Sequence, residues 1–157
     1  MKSIVGLSLI LAFYSLCSCS DTSDPSPVVG IDEKLLVNAN GWVVESSIKD
    51  DGKTQKDLFV QYTACVADNT YKFQSAGTYT IDEGKKKCDT TDLQIKEAGE
   101  WMLKGSSLTL SPVSNVPYQF TVSSLTTNQL VFTYLEIGSG GVVNSVTTTT
   151  FKPQGNL

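Results

Sequence analysis

The residues able to do chemistry in this chain are four cysteines, Cys17, Cys19, Cys65 and Cys88, and a scatter of carboxylates; none of the 157 residues is a histidine. That absence excludes a Ser-His-Asp triad, a Cys-His pair, a histidine general base and any histidine-ligated zinc or haem. Carboxylates cluster at Asp50-Asp51, at Asp82-Glu83 and at Asp89 with Asp92. A glycosidase needs two carboxyl groups facing one another across a substrate. These stand instead in polar stretches, where Asp hydrogen-bonds the backbone of turns, and they read as solvated turn residues. Calcium coordination by Asp82, Glu83, Asp89 and Asp92 would lack the spacing of an EF-hand loop. Lys85-Lys86-Lys87, beside these acids, reads as a solvated loop. Gly138-Ser139-Gly140-Gly141 has no following Lys or helix, so it is a turn and not a phosphate-binding loop. No Ser or Thr has a base at a recognisable spacing. The expectation is a protein that is not an enzyme, with no metal site and no cofactor.

Composition agrees. The 12 Lys+Arg against 16 Asp+Glu give a formal charge of −4 with no basic tract, which argues against a nucleic-acid partner. Hydrophobic residues at 40% and charged residues at 18% suit one packed globular domain.

The first two cysteines lie in a segment that reads as an address. Lys2 precedes an apolar run from Ile4 to Leu16, the pattern of a secretory signal and too short to span a bilayer, which takes roughly 20 apolar residues. Leu16-Cys17-Ser18-Cys19 resembles the lipobox of bacterial lipoproteins. That resemblance implies cleavage after residue 18 and acylation of Cys19, which would hold the protein on a membrane through its acyl chains. A simple secreted protein cleaved nearby is the alternative. Residues 19–30, rich in Ser, Asp and Pro, read as a tether. The lipoprotein resemblance implies a place in the bacterial cell envelope, expected at the outer membrane, on a side that the sequence leaves open.

Residues 31–157 make the domain. After a short helical turn near Leu35-Leu36, period-2 alternation dominates. Strands are expected at 42–46, 70–74, 78–82, 99–103, 107–110, 118–124, 129–137 and 142–152, with the stretch from Lys49 to Tyr62 left as an uncertain loop. Eight strands with mostly short connections must run antiparallel. They suggest an all-β, up-and-down barrel, with a β-sandwich as the competitor. Beyond Cys19, every aromatic residue except Phe59 and Tyr62 falls on the inward row.

In order along the chain, Leu35-Leu36 before Trp42, the Cys65–Asn69 stretch before Tyr71-Lys72-Phe73, Gly77-Thr78-Tyr79, Gly84 to Cys88, Glu97-Ala98-Gly99-Glu100-Trp101 and the closing Thr147–Phe151 strand resemble the lipocalin-like domains of lipid-anchored Bacteroidota proteins. The resemblance spans about residues 33–153 and implies a lipocalin-like barrel. The downstream cysteines fit it: Cys65 precedes the second strand and Cys88 follows the third, so the hairpin brings them together for a disulfide. A redox or metal pair would want a CxxC or companion ligands, and neither is present.

The inward aromatic set is the candidate for function. Trp42, Tyr71, Phe73, Trp101, Tyr118, Phe120 and Phe132 would line a cavity for a small apolar or amphipathic ligand. Their bulk also favours a partly or fully filled interior. Two readings follow: an envelope-anchored binding barrel, or a non-catalytic envelope protein with a filled barrel that meets a protein or glycan through its loops, around Phe59, Val60 and Tyr62.

Overall fold

The computed structural model describes residues 31–37 and 40–155. The expected signal peptide 1–18, the acylated Cys19 and the tether 19–30 lie outside the described residues. Nine strands form one antiparallel sheet: β1 (Trp42–Asp50), β2 (Gln55–Asp57), β3 (Thr70–Phe73), β4 (Thr78–Asp82), β5 (Ile95–Lys104), β6 (Ser107–Pro112), β7 (Tyr118–Leu125), β8 (Leu130–Ile137) and β9 (Val143–Pro153). The last strand returns to the first, with Trp42 opposite Pro153 and Asp50 opposite Val146. This pairing closes β1 and β3–β9 into an eight-stranded up-and-down barrel, and a two-sheet sandwich is thereby excluded.

The ninth strand corrects the expectation of an irregular stretch after Lys49. Strand β1 runs on to Asp50, and β2 folds back on it with Asp50 opposite Gln55. The turn is built by carboxylates: Asp50 accepts the Gly52 N–H at 2.7 Å, and Asp51 accepts the N–H groups of Lys53 and Thr54. Gly52 takes φ +80°, open to glycine without steric cost. The chain then makes a 3₁₀ turn at Phe59–Gln61 and a helical turn, α1 (Ala64–Ala67), before entering β3.

One end of the barrel is shut by the N-terminal segment. Asp32 accepts the Lys34 N–H and starts a 3₁₀ turn at Glu33–Leu35. Leu36 follows it, fully buried against the core. The indole of Trp42 is fully buried too, and its Nε1–H donates to the Leu36 carbonyl at 2.9 Å. The inward rows of β1, β3, β4 and β6–β9 supply the rest of the core, including Val44, Phe73, Tyr79, Leu108, Leu110, Val122, Leu130, Phe132 and Phe151. Gly99 on β5 is there for want of space: a Cβ would sit 2.2 Å from the Ser111 carbonyl oxygen on β6.

At the other end Cys65 and Cys88 are bonded, tying α1 to the β4–β5 loop. Asp68 reinforces the tie by accepting the backbone N–H groups of Lys85 and Lys86. Among the described residues no helix is long and apolar enough to cross a membrane.

Candidate ligand-binding site

The inward rows do not fill the barrel completely. A cavity of about 120 Å³ remains, walled by Val44, Tyr62, Tyr71, Leu110, Phe120, Phe132, Tyr134, Thr147, Thr149 and Phe151. Strands β1, β3 and β6–β9 contribute through their alternation, and neighbouring rings hold one another in edge, tilted or stacked contacts. Tyr71 meets Phe151 edge-on at 5.2 Å, Phe132 meets Phe151 at 5.0 Å, and Phe120 stacks on Phe132 at 5.5 Å. Tyr62 reaches this wall from the segment between β2 and β3, held edge-on by Phe59 at 5.6 Å.

Of the seven aromatics expected to line a cavity, the structure gathers Tyr71, Phe120 and Phe132 around it. Trp42 plugs the closed end. Trp101 donates its indole N–H to the Gln74 carbonyl at 3.0 Å and packs edge-on to Phe73 at 6.0 Å. Tyr118 turns its hydroxyl elsewhere. Phe59 and Tyr62, expected at an exposed contact patch, pack against the core and leave only Val60 strongly exposed.

Beside the cavity lies an inward carboxylate that sequence reasoning passed over. Glu97 shares the inward row of β5 with Gly99, Trp101 and Leu103. Tyr79 Oη donates to its Oε1 at 2.6 Å and Tyr118 Oη to its Oε2 at 2.7 Å. The hydrogen bond to Glu97, with burial, pushes the Tyr118 hydroxyl up to about 12. Burial first, and then the bond to Glu97, raises Tyr79 as well. Burial, with the charge and hydroxyls nearby, pushes Tyr71 up to about 12. Tyr79 and Tyr118 therefore stay protonated and donate to the Glu97 carboxylate. The signal was the alternation itself, which puts position 97 two residues before Gly99 on the inward side.

The barrel wall is incomplete near this cluster. Pairing between β7 and β8 runs from Leu125 opposite Leu130 up to Thr121 opposite Thr133 and stops there. Above that point a groove of about 520 Å³ separates the two strands, lined by Val116, Tyr118, Phe120, Tyr134, Leu135 and Ile137 together with polar residues such as Gln119 and Thr121. Phe120 and Tyr134 line both the groove and the cavity, and their rings meet at 6.0 Å.

The acidic clusters are spent on local structure. Burial would raise the Asp82 carboxyl, but hydrogen bonds from Gln94, the Gly84 N–H and Lys72 outweigh it and hold it below the usual range. Glu83, almost fully buried, pairs with Lys96 at 3.3 Å. Asp89 caps Thr91, and Asp92 accepts the Asp89 N–H. Among the described residues no three metal-ligating side chains gather at one point.

A family model described as a lipocalin-like domain matches residues 41–132, from the glycine before β1 into β8. A search of curated proteins finds none that matches.

Proposed function

The chain belongs to the lipocalin-like domain family, and from that premise we propose that it is a lipid-anchored cell-envelope protein whose barrel takes up a small apolar or amphipathic molecule. The observation that carries the binding reading is the aromatic-walled cavity inside the barrel, with a groove beside it between β7 and β8. Its walls are apolar, and Tyr62, Thr147 and Thr149 offer a few polar atoms to orient a ligand, the usual make-up of a small-molecule pocket. The anchor rests on the lipobox-like Leu16–Cys19, with Cys19 as the acyl-bearing residue and the outer membrane as the site.

Titration with cis-parinaric acid, a fluorescent apolar chain, tests the binding reading. Saturable enhancement, with a lipid-sized mass retained in native mass spectrometry of protein from its own host, is expected; a flat titration and a bare protein mass would sink it. For the anchor, an alkyne-tagged fatty acid fed to the host should label the wild-type protein and not Cys19→Ala. Labelling that persists in the variant would refute the assignment.

The second reading, a filled barrel that works through its outer surface, draws on the small volume of the cavity. About 120 Å³ is well below the roughly 300 Å³ at which ligand pockets begin. It predicts a protein or glycan crosslinked to the chain in cells and no small molecule retained.

A further inference from the structure

We propose that the ligand enters sideways, between β7 and β8, past a gate formed by Phe120 and Tyr134, and that it is an amphipathic molecule with a single unbranched apolar chain. The inference rests on the small-molecule reading and adds to it a route and a shape. It starts from a mismatch of volumes. The cavity of about 120 Å³ is too small for a typical ligand, whereas the groove outside it, at about 520 Å³, is within the usual pocket range. The two spaces share two residues, Phe120 and Tyr134.

The register explains why. Thr121 opposite Thr133 is the last pair, so Phe120 and Tyr134 would be the next, yet no backbone pairing joins them. The side chains replace the ladder: two rings in contact at 6.0 Å span the breach. Ring contacts can part by side-chain rotation, which a hydrogen-bonded wall would not permit. The groove also combines both faces of the sheet. Tyr118, Phe120 and Tyr134 belong to inward rows, while Gln119, Thr121 and Leu135 face out, so the space passes through the wall and is not a dent upon it.

The chemistry of the two sides differs in a way that fits one kind of molecule. The cavity wall includes Val44, Leu110, Phe132 and Phe151 and no charged residue, with Glu97 standing beside it. Outside, the unpaired backbone edges, the Thr121 hydroxyl and the oxygens of Gln119 and Thr133, whose donors are engaged by Ser107 and the Thr121 carbonyl, offer hydrogen bonds to a polar head. Leu135 and Ile137, exposed at 45% and 61%, give the rim an apolar landing. A single methylene chain asks the least movement of the two rings. A peptide strand could pair with the open edges, but it would leave the inner cavity unused.

Stopped-flow mixing of the full chain with cis-parinaric acid tests the route. A charge on the rim, Leu135→Lys, should slow association about tenfold, because an apolar chain must then pass a hydrated ammonium. Met102→Lys, on the exposed side of β5, should leave the rate at the wild-type value or raise it. Tyr134→Ala removes half of the gate and should speed association and dissociation together. Rates unchanged in both Leu135→Lys and Tyr134→Ala would overturn the lateral route while leaving the binding reading intact. No saturable signal with wild type would overturn both. Should Leu135→Lys fail to fold, the rates of Tyr134→Ala still decide. A peptide mass retained on protein from its host, or a dimer in sedimentation that Leu135→Lys dissociates, would assign the groove to another occupant and overturn the proposal.

Discussion

Glu97 shows how a single polar residue inside an apolar barrel sets the properties of its neighbours. Its two oxygens each accept a tyrosine hydroxyl, and hydrogen bonds to a charged acceptor stabilise by about 1.5–3 kcal/mol. Glu97→Gln removes the charge and leaves one acceptor for two donors. The Tyr118 hydroxyl, held at about 12 chiefly by that bond, should fall back toward ~10. Absorbance at 295 nm against pH reads the change directly, and a wild-type titration curve in the variant would refute the assignment. The variant should also unfold at lower urea, by about 1–2 kcal/mol. Trp42 illustrates the opposite case. Its place at the start of a strand, after Leu35-Leu36, was readable, but its task was not. The sequence marks a large inward residue; only the fold shows that it caps the closed end through a bond to Leu36 and stands outside the wall of the aromatic cavity.

At the scale of elements, legibility followed alternation. The eight barrel strands were readable because Tyr71 and Phe73, Leu108 and Leu110, or Leu130 and Phe132 alternate with polar neighbours. Strand β2 escaped because Gln55-Lys56-Asp57 has no apolar face; it is fully exposed and held by backbone pairing to β1. The breach between β7 and β8 escaped for a different reason. Tyr118, Phe120 and Tyr134 keep their alternation through it, and alternation reports which face a residue takes, not whether its strand is paired. The Cys65–Cys88 bridge, expected from the hairpin between them, joins two elements that share no ladder, α1 and the β4–β5 loop. Closing a loop with a sequence separation of 23 should stabilise by about 3 kcal/mol through the unfolded chain. Cys65→Ser with Cys88→Ser should lose most of this in urea denaturation. A loss below about 1 kcal/mol would mean that the Asp68 bonds to Lys85 and Lys86 hold the corner alone.

For the whole molecule, titration points to a broad plateau of stability. Asp82 is held below the usual carboxylate range, and so is Glu136, first by its hydrogen bond with Lys49 and then by Ser145. A depressed carboxyl stabilises fully above its unfolded value and loses that contribution as pH falls through the folded one, so stability should decline only below about pH 4. The raised tyrosines act at the other limit. Their contribution is complete below the unfolded value of about 10 and is lost as pH rises toward 12. With no histidine in the chain, no side chain of ordinary pKa titrates near neutrality. Urea midpoints should therefore stay level from about pH 5 to 9, and a step between pH 6 and 8 would contradict this. The pairing of first strand with last adds a constraint in time. Ser47 and Thr149, hydrogen-bonded across that seam, are 102 positions apart. Until β9 is in place, β1 and β8 each keep an open edge, and contacts of such separation form slowly. The barrel cannot close ahead of its own completion, so until then two unpaired strand edges are available to any unfolded neighbour.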